Sequence, residues 1–200
     1  MKTLLQINSS LHSGSGQSSL LARQFVDKWQ QSNPEGRVIV RDLATSPVPH
    51  LTTERFQAFL TSPEERSIQQ SEFALESDEL IRELEQADIV VIGVPMYNFG
   101  IPSTLKAWID HVARAGKTFK YTASGSVGLL ADRPTFIFAA RGGVYLNTAL
   151  ETQTPYLTQF LNFVGIKNIK FIYAEGLAMG EASRSKSLEV ASQSIEKIAA

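Results

Sequence analysis

The sequence predicts an α/β fold in which helices cover both faces of a five-stranded parallel sheet, a doubly wound three-layer sandwich. Two observations carry this prediction. Five short apolar runs, rich in β-branched and aromatic residues, alternate with segments of helical periodicity, which is typical of βαβ units. The chain has 200 residues, of which 43% are hydrophobic and 20% charged, an ordinary composition for a single globular domain spanning residues 1–200.

The strands are assigned from runs that are apolar at almost every position, as expected for strands buried on both faces of a sheet. Right-handed crossovers between successive strands give the sheet order 2-1-3-4-5, which is the order of a flavodoxin-like domain. The five runs are residues 4–7, 38–40, 89–94, 135–140 and 169–174.

The helices are assigned from apolar residues that recur every three or four positions. The first helix ends before Pro34, the third has Pro102 near its first turn, and the fourth runs from Pro155 to a stop at Gly165. Proline and glycine prefer these boundary positions. The five apolar stripes are Leu21, Phe25, Val26, Trp29; Leu80, Ile81, Leu84, Ala87; Leu105, Trp108, Ile109, Val112; Tyr156, Leu157, Phe160, Leu161, Val164; and Leu188, Ala191, Ile195, Ile198.

Two segments exceed what this minimal fold needs, and such additions often form lids or subunit contacts. Residues 44–75 contain Pro47, Pro49 and Pro63, with a short helix expected at residues 55–60. Residues 116–131 have the pattern of an extra hairpin, with its turn near residues 124–126.

Composition and missing motifs exclude several classes of function. The net charge is −1 and there is no cysteine, which argues against nucleic-acid binding and excludes thiolate chemistry and Cys-ligated zinc. Three scattered histidines predict no metal site. Neither GxxxxGK[ST] nor GxSxG is present, which argues against P-loop and α/β-hydrolase chemistry. No run approaches the ~20 apolar residues of a membrane span, so we expect a cytoplasmic protein that binds no membrane.

Open parallel sheets bind ligands at the carboxyl ends of the strands where the strand order reverses, here beside strands 1, 3 and 4. Residues 8–18 follow strand 1, are rich in serine and glycine, contain no acidic residue and run into a helix. Serine hydroxyls, backbone N–H groups and a helix N-terminus suit a phosphate group. For this loop alone, a flexible turn with Ser18 as a plain helix cap is an equal alternative.

The loops after strands 3 and 4 have a different chemistry. Residues 95–102 place two aromatic side chains around Asn98, a surface that suits a planar ring with a polar edge. Residues 140–145 contain Gly142 and Gly143, whose backbone can approach a ligand closely. Either segment alone is also compatible with an ordinary turn. The coincidence of all three strand ends predicts a mononucleotide with a flat polar heterocycle, which is FMN.

Six segments share their pattern with a known family: 96–99 (MYNF), 102–110 (PSTLKAWID), 113–119 (ARAGKTF), 141–143 (RGG), 160–166 (FLNFVGI) and 174–176 (AEG). With them the chain resembles the FMN-dependent NADH-azoreductases, also described as NADH:quinone oxidoreductases, of the flavodoxin-like superfamily. The similarity runs from the first strand to the last helix.

This resemblance implies one tightly but non-covalently bound FMN per subunit, and a homodimer with the active site at the subunit interface. The family pattern places the FMN phosphate at Ser10, Gly16, Gln17 and Ser18. The chain departs from many relatives in having glycine rather than serine at position 16, and Ala140 where relatives often have serine or threonine. The flavin ring would lie against Pro95, Met96, Tyr97, Asn98, Phe99, Ala140, Arg141, Gly142 and Gly143.

The expected reaction is a ping-pong two-electron reduction in which the flavin carries the chemistry, and no side chain is assigned as catalytic. NADH passes a hydride to the flavin, and a quinone, azo dye or nitroaromatic compound then receives the electrons on the same face. Two such cycles cleave an azo compound to amines. The amides of Gly142 and Gly143 are expected to stabilise negative charge on the ring. Tyr121 and Phe163 are the expected substrate wall, with core packing an equal alternative for Phe163, and His111 is expected at the surface.

Two alternative functions stay open at this point. A flavodoxin-like electron carrier is usually strongly acidic, so that it can dock basic partners, whereas this chain has a net charge of only −1. An FMN reductase without an organic substrate of its own would release its flavin to partners. Catalytic consumption of NADH with menadione separates the enzyme from the carrier, and flavin retention on gel filtration separates it from the FMN reductase.

Overall fold

A computed structural model describes residues 1–199, and its centre is a five-stranded parallel sheet. The strands lie in the order β2-β1-β3-β6-β7, which confirms the predicted order 2-1-3-4-5 once the two hairpin strands are set aside. All four pairings between neighbours are parallel. The strand bounds are β1 Thr3–Asn8, β2 Arg37–Asp42, β3 Ile89–Pro95, β6 Thr135–Ala140 and β7 Ile169–Ala174, with β4 Phe119–Thr122 and β5 Gly125–Gly128 forming the separate hairpin.

Helices cover both faces of this sheet. One face packs against α1 and α6 through an apolar cluster that includes Phe25 and Ile195. The other packs against α3, α4 and α5 through a cluster that includes Leu84, Trp108 and Leu161. No helix within residues 1–199 is long and apolar enough to cross a membrane. The helix bounds are α1 Gln17–Ser32, α2 Thr53–Leu60, α3 Ile68–Gln86, α4 Ser103–Val112, α5 Gln153–Val164 and α6 Glu181–Ala199.

Three sequence expectations need correction. The strand β2 is not buried on both faces: it pairs only with β1 at the sheet edge, and Val40 is 57% exposed. The long segment predicted to end at residue 75 ends at Ser67, because Ser67 and Gln70 form a capping box that starts α3 earlier. The hairpin turn is formed by residues 123 and 124, directly before β5, and therefore lies slightly earlier than predicted.

The hairpin is attached to the end of α5 through a contact between two glycines. Leu130 N–H donates to the Val164 carbonyl at 3.0 Å, and a Cβ atom added to Gly128 would lie 2.5 Å from the Cα of Gly165. Gly165 itself ends α5 with a φ of +113°, a backbone conformation that residues with a side chain rarely adopt. Glycine is thus required at both positions for the hairpin to dock.

His111 is fully buried, so its expected surface location is wrong. A carbonyl can only accept, so His111 Nδ1–H donates to the Ala107 carbonyl at 2.9 Å, while Nε2 has no hydrogen-bond partner among the described residues. Burial holds the pKa of His111 below its ordinary value. Arg55 lowers the pKa further, whereas the Ala107 carbonyl, Glu76 and Asp110 act in the opposite direction.

The buried His111 predicts a loss of stability at mildly acidic pH. In the unfolded chain a histidine binds its proton near pH 6.5, whereas folded His111 binds it only at lower pH. The unfolded state therefore binds more protons below about pH 6.5, and the free energy of unfolding should fall as the pH falls through that range. Urea titrations at several pH values should show this slope. His111→Leu should flatten it, and an unchanged slope would mean that another group is responsible.

Candidate functional site

Three loops meet at the carboxyl edge of the sheet because the strands before them end at the same level. Asn8 of β1 is paired with Gly93 of β3, and Pro95 of β3 with Ala140 of β6. Met96 N–H then donates to the Ala140 carbonyl at 3.0 Å. We call these the serine-rich loop (residues 9–16), the aromatic loop (residues 96–102) and the glycine loop (residues 141–146). The structure thus brings together the three segments that the sequence singled out.

The serine-rich loop is closed over Ser10, which is buried. Ser10 Oγ accepts a hydrogen bond from His12 N–H at 3.2 Å. The Tyr97 hydroxyl of the aromatic loop lies 3.4 Å from Ser10 Oγ and accepts the N–H of Leu11 at 3.2 Å. A Cβ atom added to Gly16 would lie 2.6 Å from the Cβ of Ser10. The space that a serine side chain at position 16 would need is therefore already filled by Ser10.

The first turn of α1 presents unpartnered hydrogen-bonding groups. The hydroxyls of Ser18 and Ser19 are buried and have no hydrogen-bond partner among the described residues, and Gln17 is half-buried. The turn sits directly on the sheet, since a Cβ atom on Gly93 would be 3.0 Å from the Ser18 carbonyl oxygen. Because helix N-termini carry a partial positive charge and free N–H groups, this turn can bind an anion.

The aromatic loop is held in a strained turn. Tyr97 and Gly100 exchange two backbone hydrogen bonds, of 3.1 and 2.9 Å. The two residues between them, Asn98 and Phe99, have φ angles of +50° and +64°, as in the tight turns of hairpins. Left-handed conformations of non-glycine residues cost free energy and often mark functional sites. Asn98 and Phe99 are exposed, so the turn presents their side chains to any ligand at the sheet edge.

The glycine loop begins with Arg141, whose side chain is completely buried. Its guanidinium is paired with Glu151 and with Glu175, the latter at 3.0 Å. The backbone N–H of Arg141 donates to the Ala174 carbonyl, and its backbone carbonyl accepts the N–H of Leu177. Both the backbone and the side chain of Arg141 are thus engaged within the protein. These contacts hold the glycine loop in place.

Two residues without an assigned role in the sequence analysis link the loops. Gln153, at the start of α5, donates to the carbonyls of Pro95 and Gly100 at 2.9 and 3.0 Å, and accepts from Arg141 Nε at 3.1 Å. Glu175 follows β7 and accepts the N–H groups of Tyr145 and Leu146 at 2.9 and 3.0 Å. Position directly after a strand was a usable signal for Glu175, whereas nothing in the sequence marks Gln153.

The glycine loop also leaves donors free. The carbonyls of Gly142 and Gly143 accept hydrogen bonds from Ala178 and Gly176, but their own N–H groups have no acceptor among residues 1–199. The Tyr145 ring packs over Gly143, where a Cβ atom would approach it to 2.8 Å. The described site therefore combines free amides at one loop with aromatic rings at both.

Tyr121 and Phe163 are not brought to this edge within the chain. Both pack against Phe119, with ring centroids 5.5 and 4.3 Å from it. Phe163 lies ten residues after Gln153 on α5, which corresponds to about 15 Å of helix. Since Gln153 touches the aromatic loop, Phe163 lies near the opposite end of the helix. Tyr121 is 76% exposed.

Comparison with known sequences shows which proteins this chain is similar to. A family model described as "Flavodoxin-like fold" matches residues 1–199. A protein of Cellvibrio japonicus (strain Ueda107) named FMN-dependent NADH:quinone oxidoreductase is 55% identical over 185 residues, covering 92% of this chain and 93% of that protein. A protein of the same name from Paraburkholderia phymatum is 50% identical over 195 residues, covering 98% of each.

Solved structures agree with this similarity. An azoreductase from Bacillus anthracis str. Sterne superposes with a TM-score of 0.91 at 25% identity, covering 100% of this chain and 99% of that one. An FMN-dependent NADH-azoreductase from Bacillus anthracis str. Ames Ancestor, solved in complex with FMN, gives 0.89 at 28% identity, covering 100% and 98%. The chain therefore belongs to the flavodoxin-like fold family and, within it, to the family of FMN-dependent NADH:quinone oxidoreductases.

Proposed function

We propose that this chain is a single FMN-binding domain that acts as an FMN-dependent NADH:quinone oxidoreductase and azoreductase. The observation that carries the proposal is the meeting of unpartnered donors at one sheet edge: the Ser18 hydroxyl at one loop and the N–H groups of Gly142 and Gly143 at another. These are the groups that a phosphate and a polar ring edge require. The 55% identity to the Cellvibrio japonicus oxidoreductase supports the same conclusion.

The residues at the serine-rich loop fit the phosphate end of FMN. A buried hydroxyl without a partner costs free energy, and Ser18 has one at a helix N-terminus that attracts anions. Ser10, Gly16 and Gln17 complete the set that would hold the phosphate. Ser10 occupies the space beside Gly16, and the Gly16 N–H donates to the Ser13 carbonyl at 3.3 Å, so the donors for the phosphate would come from Ser10, Gln17 and Ser18.

Ser18→Ala should therefore have opposite effects on stability and on affinity. Removing a buried, unpartnered hydroxyl should stabilise the flavin-free protein by about 1 kcal/mol, and loss of a phosphate donor should weaken FMN binding about tenfold. Thermal melts and flavin fluorescence titrations measure the two effects. Ser19→Ala is the matched control, since Ser19 is equally buried and unpartnered and is assigned no ligand. An unchanged FMN affinity in Ser18→Ala would contradict this assignment.

The aromatic and glycine loops would hold the flavin ring. Pro95, Met96, Tyr97, Asn98 and Phe99 supply apolar surface and the strained turn on one side. FMN supplies the ability to accept a hydride from NADH and to pass two electrons to an acceptor. On the other side the free N–H groups of Gly142 and Gly143 would donate to the polar ring edge, and Ala140 and Arg141 would lie against the ring beside them.

We extend the proposal to a homodimer whose substrate pockets lie between subunits. Tyr121 and Phe163 lie far from the aromatic and glycine loops of their own chain. They can therefore contact a substrate at those loops only if they come from a second copy of the chain. The hairpin that carries Tyr121 also exposes Val127 and Leu129, apolar surface that a second subunit would cover. Light scattering should then give the mass of two chains, and a monomeric, fully active enzyme would contradict this arrangement.

The whole proposal is tested by the visible spectrum of the purified protein before and after NADH. We expect a bound flavin whose absorbance is bleached by NADH alone, as a ping-pong order requires, and restored by menadione, an azo dye or a nitroaromatic compound. Turnover with each acceptor then ranks the substrates. A colourless protein that takes up no FMN would refute the redox function. We propose the cytoplasm, where NADH is supplied, as the location.

A further inference from the structure

The serine-rich loop is tied to the neighbouring strand by one side-chain pair. Ser13 Oγ donates a hydrogen bond of 2.6 Å to Oδ2 of Asp42, the last residue of β2. Ser13 has a φ of +48°, a left-handed conformation that residues other than glycine adopt only at a cost. The loop therefore needs an external contact to keep this shape, and Asp42 supplies it.

The Asp42 carboxylate is itself fixed in place. Its Oδ1 accepts the N–H groups of Ala44 and Thr45 at 2.9 and 3.3 Å, which leaves Oδ2 directed to Ser13. On its inner side the same loop is held by Tyr97, whose hydroxyl accepts the N–H of Leu11. The loop is thus held from both sides before any ligand binds, by Asp42 at the end of β2 and by Tyr97 of the aromatic loop.

We propose that Asp42 is a positioning residue which, through Ser13, holds the serine-rich loop in the shape that receives the phosphate of FMN. This inference rests on the proposed function. A loop that is already ordered loses less conformational entropy when the ligand binds, and this raises the affinity. Because the contact is at the phosphate end, its loss should weaken the binding of FMN but not of riboflavin, which has the same ring and no phosphate.

The test is a pair of dissociation constants, for FMN and for riboflavin, measured by flavin fluorescence with the flavin-stripped full chain. Ser13→Ala and Asp42→Ala should each raise the Kd for FMN about tenfold, the effect of losing one hydrogen bond to a charged group, and leave the Kd for riboflavin unchanged. The double variant should bind FMN no more weakly than Asp42→Ala alone, because Asp42→Ala already removes the Ser13 bond together with the bonds from Ala44 and Thr45. Thr45→Ala is the control: it removes only a 3.4 Å contact to the Asp42 backbone carbonyl.

The possible outcomes distinguish a failure of this inference from a failure of the proposed function. An unchanged FMN affinity in Ser13→Ala, or equal losses for FMN and riboflavin, would overturn the role of Asp42. If Asp42→Ala fails to fold by circular dichroism, Ser13→Ala decides alone, because Ser13 lies outside both apolar cores. A parent protein that binds neither flavin would refute the proposed function, and this inference with it.

Discussion

Replacing Arg141 by methionine is expected to reduce the free energy of unfolding by about 3–5 kcal/mol, the typical cost of breaking a buried ion pair. The substitution leaves Glu151 and Glu175 without their cation in surroundings that are almost closed to solvent. It also removes the hydrogen bond to Gln153, so the aromatic and glycine loops should lose their support. We therefore expect FMN affinity to fall together with stability. Urea denaturation and flavin titration measure the two losses.

Two comparisons make this prediction specific. Adding Glu151→Gln and Glu175→Gln to Arg141→Met removes the unpaired charges and should recover part of the lost stability. The exposed Arg23 on α1, replaced by methionine, should leave stability almost unchanged. If Arg141→Met were as stable as the Arg23→Met variant, the buried ion cluster would not support the fold.

Gly128→Ala is expected to detach the hairpin from α5. The new Cβ would meet backbone atoms of Val164 and Gly165, which cannot rotate away as a side chain can. Overpacking of this kind costs about 1–3 kcal/mol and sometimes more, and the backbone contact places this case at the upper end. Because the hairpin carries Tyr121, which we propose for the substrate pocket, and lies apart from the residues proposed to hold the phosphate, quinone turnover should fall while FMN affinity is retained.

Steady-state kinetics with menadione, combined with flavin titration, separates these two effects. Ser126→Ala is the matched control, since Ser126 lies on the same strand, β5, and is exposed. Loss of FMN in Gly128→Ala, with turnover per bound flavin unchanged, would show that the hairpin has no part in the substrate pocket.

The strand order and the meeting of the serine-rich, aromatic and glycine loops at one sheet edge could be predicted from the sequence, because both depend on local signals. Continuous apolar runs mark the strands, and parallel strands bring the residues that follow β1, β3 and β6 to one edge. The exposure of β2 was not predicted, although the predicted order 2-1-3-4-5 already places this strand at the sheet edge. The run at residues 38–40 has the same apolar composition as a central strand, so composition alone did not show that its side chains are exposed.

The remaining misses depend on contacts between distant segments. His111 is buried by contacts from distant segments: the Phe59 ring of α2 lies 5.7 Å from the imidazole, and Ser77 of α3 donates to the His111 carbonyl at 2.6 Å. No pattern around residue 111 indicates these contacts. The ion pairs of Arg141 with Glu151 and Glu175 were not foreseen for the same reason, since these partners come from later segments of the chain. Only the tertiary structure shows these partners.

The buried ion cluster of Arg141, Glu151 and Glu175 limits which segments can be exchanged between related proteins. Through Gln153, Arg141 and Glu175, the carbonyls of one loop and the amides of the other share a single buried support. In a chimera that receives only one of the two loops from a relative, the new loop would no longer match part of this hydrogen-bonded support. Recombination between relatives should therefore exchange their acceptor preference only when residues 95–100, 141–153 and 175 are transferred together.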